Sequence, residues 1–440
     1  MRYRFIALTL LFALLLTSTT YAQRGVYDLP DPFADAVSIT STITTTRAGR
    51  LFISDTFSDT VSLLDLDRTI QAEYSIGANP RGVSITPDNL QAVAISDSSL
   101  AVIDLNTGEV EFGYDLTGSP YGVIAGDGVA YVSLQATNEV IIMELESGRV
   151  LDRIATPPSP SAMAKWGDFL YVTHFWSGEL SLIYLPTTDL VRTIQPNPSG
   201  TLFGAIEIDP INGRAFLPQS IANTASDATD GNRIIPMLYE VNLRTLAVTR
   251  SINMAAADRN VNMPFAVRQP SNRSRLYVAH AGSDAVTVLN LDTGAAEEHI
   301  ETGNHPRGMV FNSAFTLLYT HDTIDGTVSE IDVRFFAVND QIPLTTAPID
   351  PATQIGLDVF YSATDERISS NGLMSCASCH WGGQSDGRMW LNAPTPVLEA
   401  IATPEPAWIN AHLSQLQGGT GLDPDGIDMN ALLDFLSPSG

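Results

Sequence analysis

A short β segment recurs seven times between residues 51 and 321, and few folds accommodate a chain written that way. The copies are Leu51–Asp55, Val93–Asp97, Tyr131–Ser133, Tyr171–His174, Ala215–Leu217, Tyr277–His280 and Leu318–His321. A second segment follows in step, as in Val61–Leu66, Ala101–Leu105, Val140–Met143 and Val286–Leu291. Turn punctuation repeats too: Asn106-Thr107-Gly108, Glu146-Ser147-Gly148 and Asp292-Thr293-Gly294 precede the outermost segment. Asn79-Pro80-Arg81-Gly82, Ser119-Pro120-Tyr121-Gly122 and His305-Pro306-Arg307-Gly308 each open a new unit. Most periods are near 40 residues, enough for four short strands with alternating apolar positions. One such unit cannot bury both of its faces, and closing a ring removes the open edges. The expectation is a mainly β chain whose residues 34–344 form a seven-bladed β-propeller.

Tyr171-Val172-Thr173-His174 and Tyr277-Val278-Ala279-His280 resemble the YVTN family of propeller repeats. The resemblance implies the fold; propellers of this kind serve as scaffolds, surface modules and enzyme bodies, so it leaves activity open. His174, His280 and His321 fill one repeat slot where earlier units carry Asp55 and Asp97. Such a ring could hold a metal or line an entrance, or it could cap strand ends; the second reading is preferred. Arg81 and Arg307 also share a slot, which suggests buried hydrogen bonding. Ser220 to Arg233, long and polar, reads as an insertion loop in solvent.

The repeat stops near residue 344, and the chemistry begins after it. Residues 345–355, with two prolines and no periodicity, read as a linker. Residues 356–440 read as a small helical domain, with helices expected over Gly356–Ala363, Pro406–Leu416 and Met429–Leu436, the last capped by Asp428. Within it lies Cys376-Ala377-Ser378-Cys379-His380, which holds both cysteines of the chain. C-x-x-C-H is the attachment signature of a c-type haem. Two thiols at this spacing can each form a thioether to one vinyl group, and His380 then sits under the iron as proximal ligand. A zinc site lacks further cysteines, and a thioredoxin-like pair would want a βαβ context.

Gly356 to Tyr361, the C-x-x-C-H motif and Asp386-Gly387-Arg388 together resemble the di-haem cytochrome c peroxidase family. The resemblance implies a cytochrome c domain in which Cys376 and Cys379 bind haem and His380 ligates iron. Arg388 would then meet a haem propionate. The chain departs from that family in having one motif, with only 60 residues after His380. One covalent haem c acting as an electron carrier is therefore the simpler expectation. The sixth iron ligand is open among Met389, His412, Met429, a propeller histidine and an empty position. Met429 is preferred, because it stands next to the last helix as in small single-haem cytochromes.

Residues 1–22 read as a secretory signal: Arg2 and Arg4, an apolar run from Phe5 to Leu16, then Thr20-Tyr21-Ala22. Its removal moves the formal net charge from −26 to −28, because two arginines and no acid depart. A chain this acidic repels nucleic acid and anionic lipid, and favours a basic protein partner. No later segment is apolar enough to span a membrane. The function expected is electron transfer outside the cytoplasm (periplasmic or secreted), with a redox partner protein and the propeller as docking scaffold or pocket wall. The alternatives are a peroxidase-like oxidoreductase with an open iron site and a binding module with a haem sensor.

Overall fold

A computed structural model describes residues 29–32, 36–227, 232–391 and 405–437. The expected signal segment lies outside the described residues. Seven antiparallel sheets follow one another along the chain. Blades one to seven span Ile43–Tyr74, Gly82–Asp115, Pro120–Ala155, Pro160–Ile194, Gly200–Asn253, Pro264–Glu301 and Pro306–Pro343. The fold is a seven-bladed β-propeller, as the repeat required.

Side-chain type sets each strand's distance from the axis. In blade three the inner strand Pro120–Ala125 is buried throughout, whereas the outer strand Val150–Ala155 alternates toward solvent. Third and fourth strands slip register at one equivalent place in every blade, for example at Val102/Ile103 and Val288/Leu289. Such bulges sharpen the twist of the outer strand.

The chain enters the ring through its centre. Val37–Ile39 pairs with Trp166–Ala164 on the inner edge of blade four, Ser41 bridges Val83 of blade two, and Ile43–Thr45 then starts blade one. Thr42 Oγ1 meets His321 Nδ1 of blade seven at 2.9 Å. One extended segment thus crosses the axis and touches four blades. Gly122 allows the crossing, because a Cβ there would stand 2.8 Å from both Thr40 Cγ2 and the Ser161 carbonyl.

Blades one and seven each use their own four strands, so no exchanged strand closes the ring. Closure comes instead from a shared core that includes Ile43, Ile53, Tyr319 and Leu344. Ser62 Oγ also donates to the Leu344 carbonyl at 2.6 Å.

Beyond the ring, a helix spans Pro351–Tyr361, five residues earlier than the sequence suggested and inside the expected linker. Its start is set by Asp350, whose carboxylate accepts from the Ala352 and Thr353 amides, and by Pro351 in the first turn. A second helix, Pro406–His412, runs on as a π turn to Gln417. The last helix spans Ile427–Leu436 and is capped by Gly426. Asp428, expected as the cap, lies one step inside, where it pairs with Arg367 at 2.7 Å. Gly356 lets the first and last helices touch, since a Cβ there would meet the Ala431 carbonyl at 2.5 Å.

This helical segment covers one end of the propeller axis. A single apolar cluster joins Tyr121, Phe175, Met263 and Phe265 of the blades to Leu357, Phe360, Trp381 and Met429 of the segment. Polar ties reinforce it: Asn304 Nδ2 donates to Asp358 at 2.9 Å, and Gln354 Nε2 to Asp325 at 3.1 Å. No helix among the described residues is long and apolar enough to cross a membrane.

Candidate cofactor site

Cys376, Cys379 and His380 share one helical turn, closed by the His380 amide donating to the Cys376 carbonyl at 3.0 Å. Spacings of three and four residues put both thiols and the imidazole on neighbouring faces of that turn. The two cysteines are not bonded to each other. Burial raises both thiol pKa values, Cys379 the more strongly.

The propeller holds this turn in place. Asn262, fully buried just before the first strand of blade six, donates through Nδ2 to the Leu373 carbonyl at 2.7 Å and to Ser378 Oγ at 3.2 Å. Ser375 Oγ returns a bond to Asn262 Oδ1 at 3.3 Å. One side chain therefore clamps the approach to the motif and its middle. Just past it, Gly382 adopts φ 59°, a left-handed turn that costs glycine least. The Trp381 ring lies on Phe265, centroids 4.7 Å apart and planes within 14°.

His380 looks across an apolar cleft whose walls include Cys376, Phe360, Trp408, Ile409 and Leu432. On the far side stands His412, the last residue of its helix. The two ring centroids are 6.0 Å apart. Both rings are buried and neither Nδ1 has a hydrogen-bond partner. Burial pushes the pKa of His380 down to about 4 and that of His412 to about 3, so both stay neutral. Neutral imidazoles are the form that binds metal.

The other expected residues are placed differently. Met429 is fully buried in the apolar cluster, on the helix face that carries Leu432, and is not among the residues that line the cleft. Met389 is 81% exposed. Arg388, expected at a propionate, donates instead to the Ser199 and Gly200 carbonyls at 3.1 and 2.9 Å. Those two bonds commit its guanidinium to blade five.

Arg233 was missed by the sequence reading. It is 3% exposed, and its charge acts on both Cys379 and His412. Arg233 ends the stretch expected to be a solvent loop, and that expectation is corrected. Arg214–Ala222 and Ile234–Asn242 pair as one long hairpin. Its tip packs Ala222 and Ile234 against Met374, Cys379 and Trp390. Apolar ends on a polar insertion were the available signal.

The three slot histidines do not gather into a site. His174 and His280 bond Ser181 and Thr287 on the next strand, each through Nε2 at 2.8 Å. His321 bonds Thr42. Among the described residues no group of three or more His, Cys, Asp or Glu side chains is placed to hold a metal ion. These histidines pin strands.

The residues at the cleft fit a haem c. The two free thiols stand on the turn that carries His380, and a second neutral imidazole faces it. Two imidazoles that share one metal have centroids about 6 Å apart, because each metal–nitrogen bond is about 2 Å. The orphaned ring nitrogens lie on those same two side chains.

No family model matches the chain, and no curated protein sequence matches it. Solved structures do. Hydrazine synthase of Kuenenia stuttgartiensis aligns with a TM-score of 0.58 at 15% identity, over 71% of this chain and 99% of that one. The Cps50 (Swd1) β-propeller domain of Myceliophthora thermophila gives 0.54 at 12% identity, over 67% and 97%. Virginiamycin B lyase from Staphylococcus aureus gives 0.50 at 15% identity, over 65% and 95%. At these identities the likeness is one of fold, and the propeller is that fold.

Proposed function

We propose that the chain is an exported single-haem cytochrome c that transfers electrons, with the propeller forming part of the wall of the haem site. The observation that carries this reading is His380 facing His412 across the cleft beside Cys376. Haem c, when bound, supplies a one-electron iron couple. Cys376 and Cys379 would hold it through thioethers, and His380 and His412 would both ligate its iron. Trp408, Ile409 and Leu432 keep water away, which tunes the potential through burial. Arg233 supplies the buried positive charge expected of Arg388. Two side-chain ligands would leave the iron no open position for peroxide, which favours electron transfer. The acidic chain favours a basic redox partner, and residues 1–22 would direct export to the compartment where haem attachment takes place.

The test is the visible spectrum of the haem-loaded protein. A low-spin oxidised spectrum that turns high-spin in His412→Ala supports this reading. A high-spin wild type would instead favour the peroxidase-like reading.

A further inference from the structure

The two thiols of the motif are not placed alike. Three residues along a helix turn by about 300°, so side chains at that spacing diverge by about 60°. Cys376 takes the direction of the cleft: it lines the wall beside His380 and is partly exposed. The Gln417 amide, at the end of the π turn after the His412 helix, donates through Nε2 to the Cys376 Sγ at 3.6 Å.

Cys379 takes the other direction. It is 3% exposed and is not among the described residues that line the cleft. Its thiol donates to the Asp386 carboxylate, which also accepts from Trp390 Nε1 at 3.0 Å. The blade-five hairpin packs over it, with Ala222 and Ile234 in the cluster that holds Cys379, Met374, Trp390 and Leu416. Arg388, two residues after Asp386, is tied to the same blade at the Ser199 and Gly200 carbonyls. The stretch that receives the Cys379 thiol is thus itself fastened to blade five.

Thioether formation adds a thiol S–H across a vinyl C=C. A carbon–sulfur bond forms, the hydrogen passes to the neighbouring carbon, and nothing is oxidised or reduced overall. The geometric demand falls on the sulfur, which must reach the vinyl carbon. A thiol on a cleft wall can do so in place, whereas one enclosed in a packed cluster reacts only after the cluster opens. We propose that Cys376 is the primary anchor for the haem and that its thioether alone suffices to hold the group. Cys379 bonds second, once the packed tip of blade five has released it. The proposal rests on the haem reading above.

The experiment compares the two thiols in two arms. In the first, the haem-free full chain is kept reduced and alkylated with iodoacetamide, and each cysteine is followed by peptide mass. Cys376 should react at least tenfold faster than Cys379, and the two rates should converge in denaturant. Ile234→Ala should speed Cys379 several-fold and leave Cys376 unchanged. In the second arm, single variants are matured in a host that attaches c-type haem. Cys379→Ser should keep covalent haem by intact mass, with one unreacted vinyl shifting the α band of its alkaline pyridine spectrum. Cys376→Ser should carry at least tenfold less.

Cysteines that alkylate at equal rates in the folded chain overturn the proposal, as does a Cys379→Ser protein that loses covalent haem as fully as Cys376→Ser. The first comparison uses the wild-type chain, so it stands whether or not the variants fold. A wild type with no covalent haem overturns the haem reading and this proposal together. A haem-bearing wild type with equivalent cysteines overturns this proposal alone.

Discussion

His380 and His412 present neutral, buried imidazoles to each other with ring centroids 6.0 Å apart, and each keeps an unbonded Nδ1. His380 also interacts with the Gln384 backbone, whereas packing aims His412 into the cleft. Trp408, one turn before His412, lies 5.0 Å from its ring and sets that aim.

Replacing His412 by alanine should therefore alter the iron and spare the fold. The haem-loaded variant should become high-spin and take up cyanide or carbon monoxide, read by absorption spectroscopy. Met429→Ala should do the reverse. Its spectrum should stay low-spin, while the loss of a fully buried methionine should cost about 2–5 kcal/mol in denaturant unfolding.

Asn262 predicts a different loss. Asn262→Leu removes the clamp on Leu373 and Ser378 and leaves buried polar groups unanswered, at a cost of about 1–3 kcal/mol. Limited proteolysis should release the residues after 344 faster than in the wild type. The blades should stay resistant.

The ring and the Cys-x-x-Cys-His motif were both visible as patterns, because each is written locally. Seven repeats of alternating strands specify blades, and C-x-x-C-H specifies thioether spacing. What stayed hidden depends on contacts distant in sequence. Nothing around His412 distinguishes it from a histidine in an ordinary amphipathic helix; only the packing of that helix over the motif does so. Arg233 belongs to blade five and Asn262 stands just before blade six, and both reach the motif only once the ring has formed. The early start of the Pro351–Tyr361 helix was legible in Asp350-Pro351, an N-cap followed by a favoured first residue, but the prolines drew attention as breakers. The crossing of Val37–Ile39 to blade four was not legible, since a single short strand carries no signal of its partner.

Gly122→Val should obstruct that crossing. The added side chain would meet Thr40 and the Ser161 carbonyl, and overpacking of this kind costs about 1–3 kcal/mol. Amide hydrogen exchange should rise at Thr40 to Ile43 first.

A carboxyl cluster under the Pro351–Tyr361 helix sets a pH dependence. Burial raises Asp284 and Asp358 to about 6 and Asp322 to about 7, with Asp325 adding repulsion to each. The folded state thus keeps protons that the unfolded chain releases near pH 4. Their contribution to stability is complete below about pH 4 and is lost as pH rises through 6 to 7. The buried histidines act with the opposite sign up to about pH 6.5, so the test is a difference: in chemical unfolding at pH 5 and pH 8, Asp322→Asn should be favoured over the wild type more at pH 8 than at pH 5.

The most direct test of the central claim joins intact mass to spectrum, on the chain matured in a host that attaches c-type haem. The account predicts the added mass of one haem, lost in the Cys376→Ala/Cys379→Ala double variant. It also predicts a low-spin oxidised spectrum without the near-infrared band that a methionine–iron bond gives. A mature chain that carries no covalent haem would contradict the account.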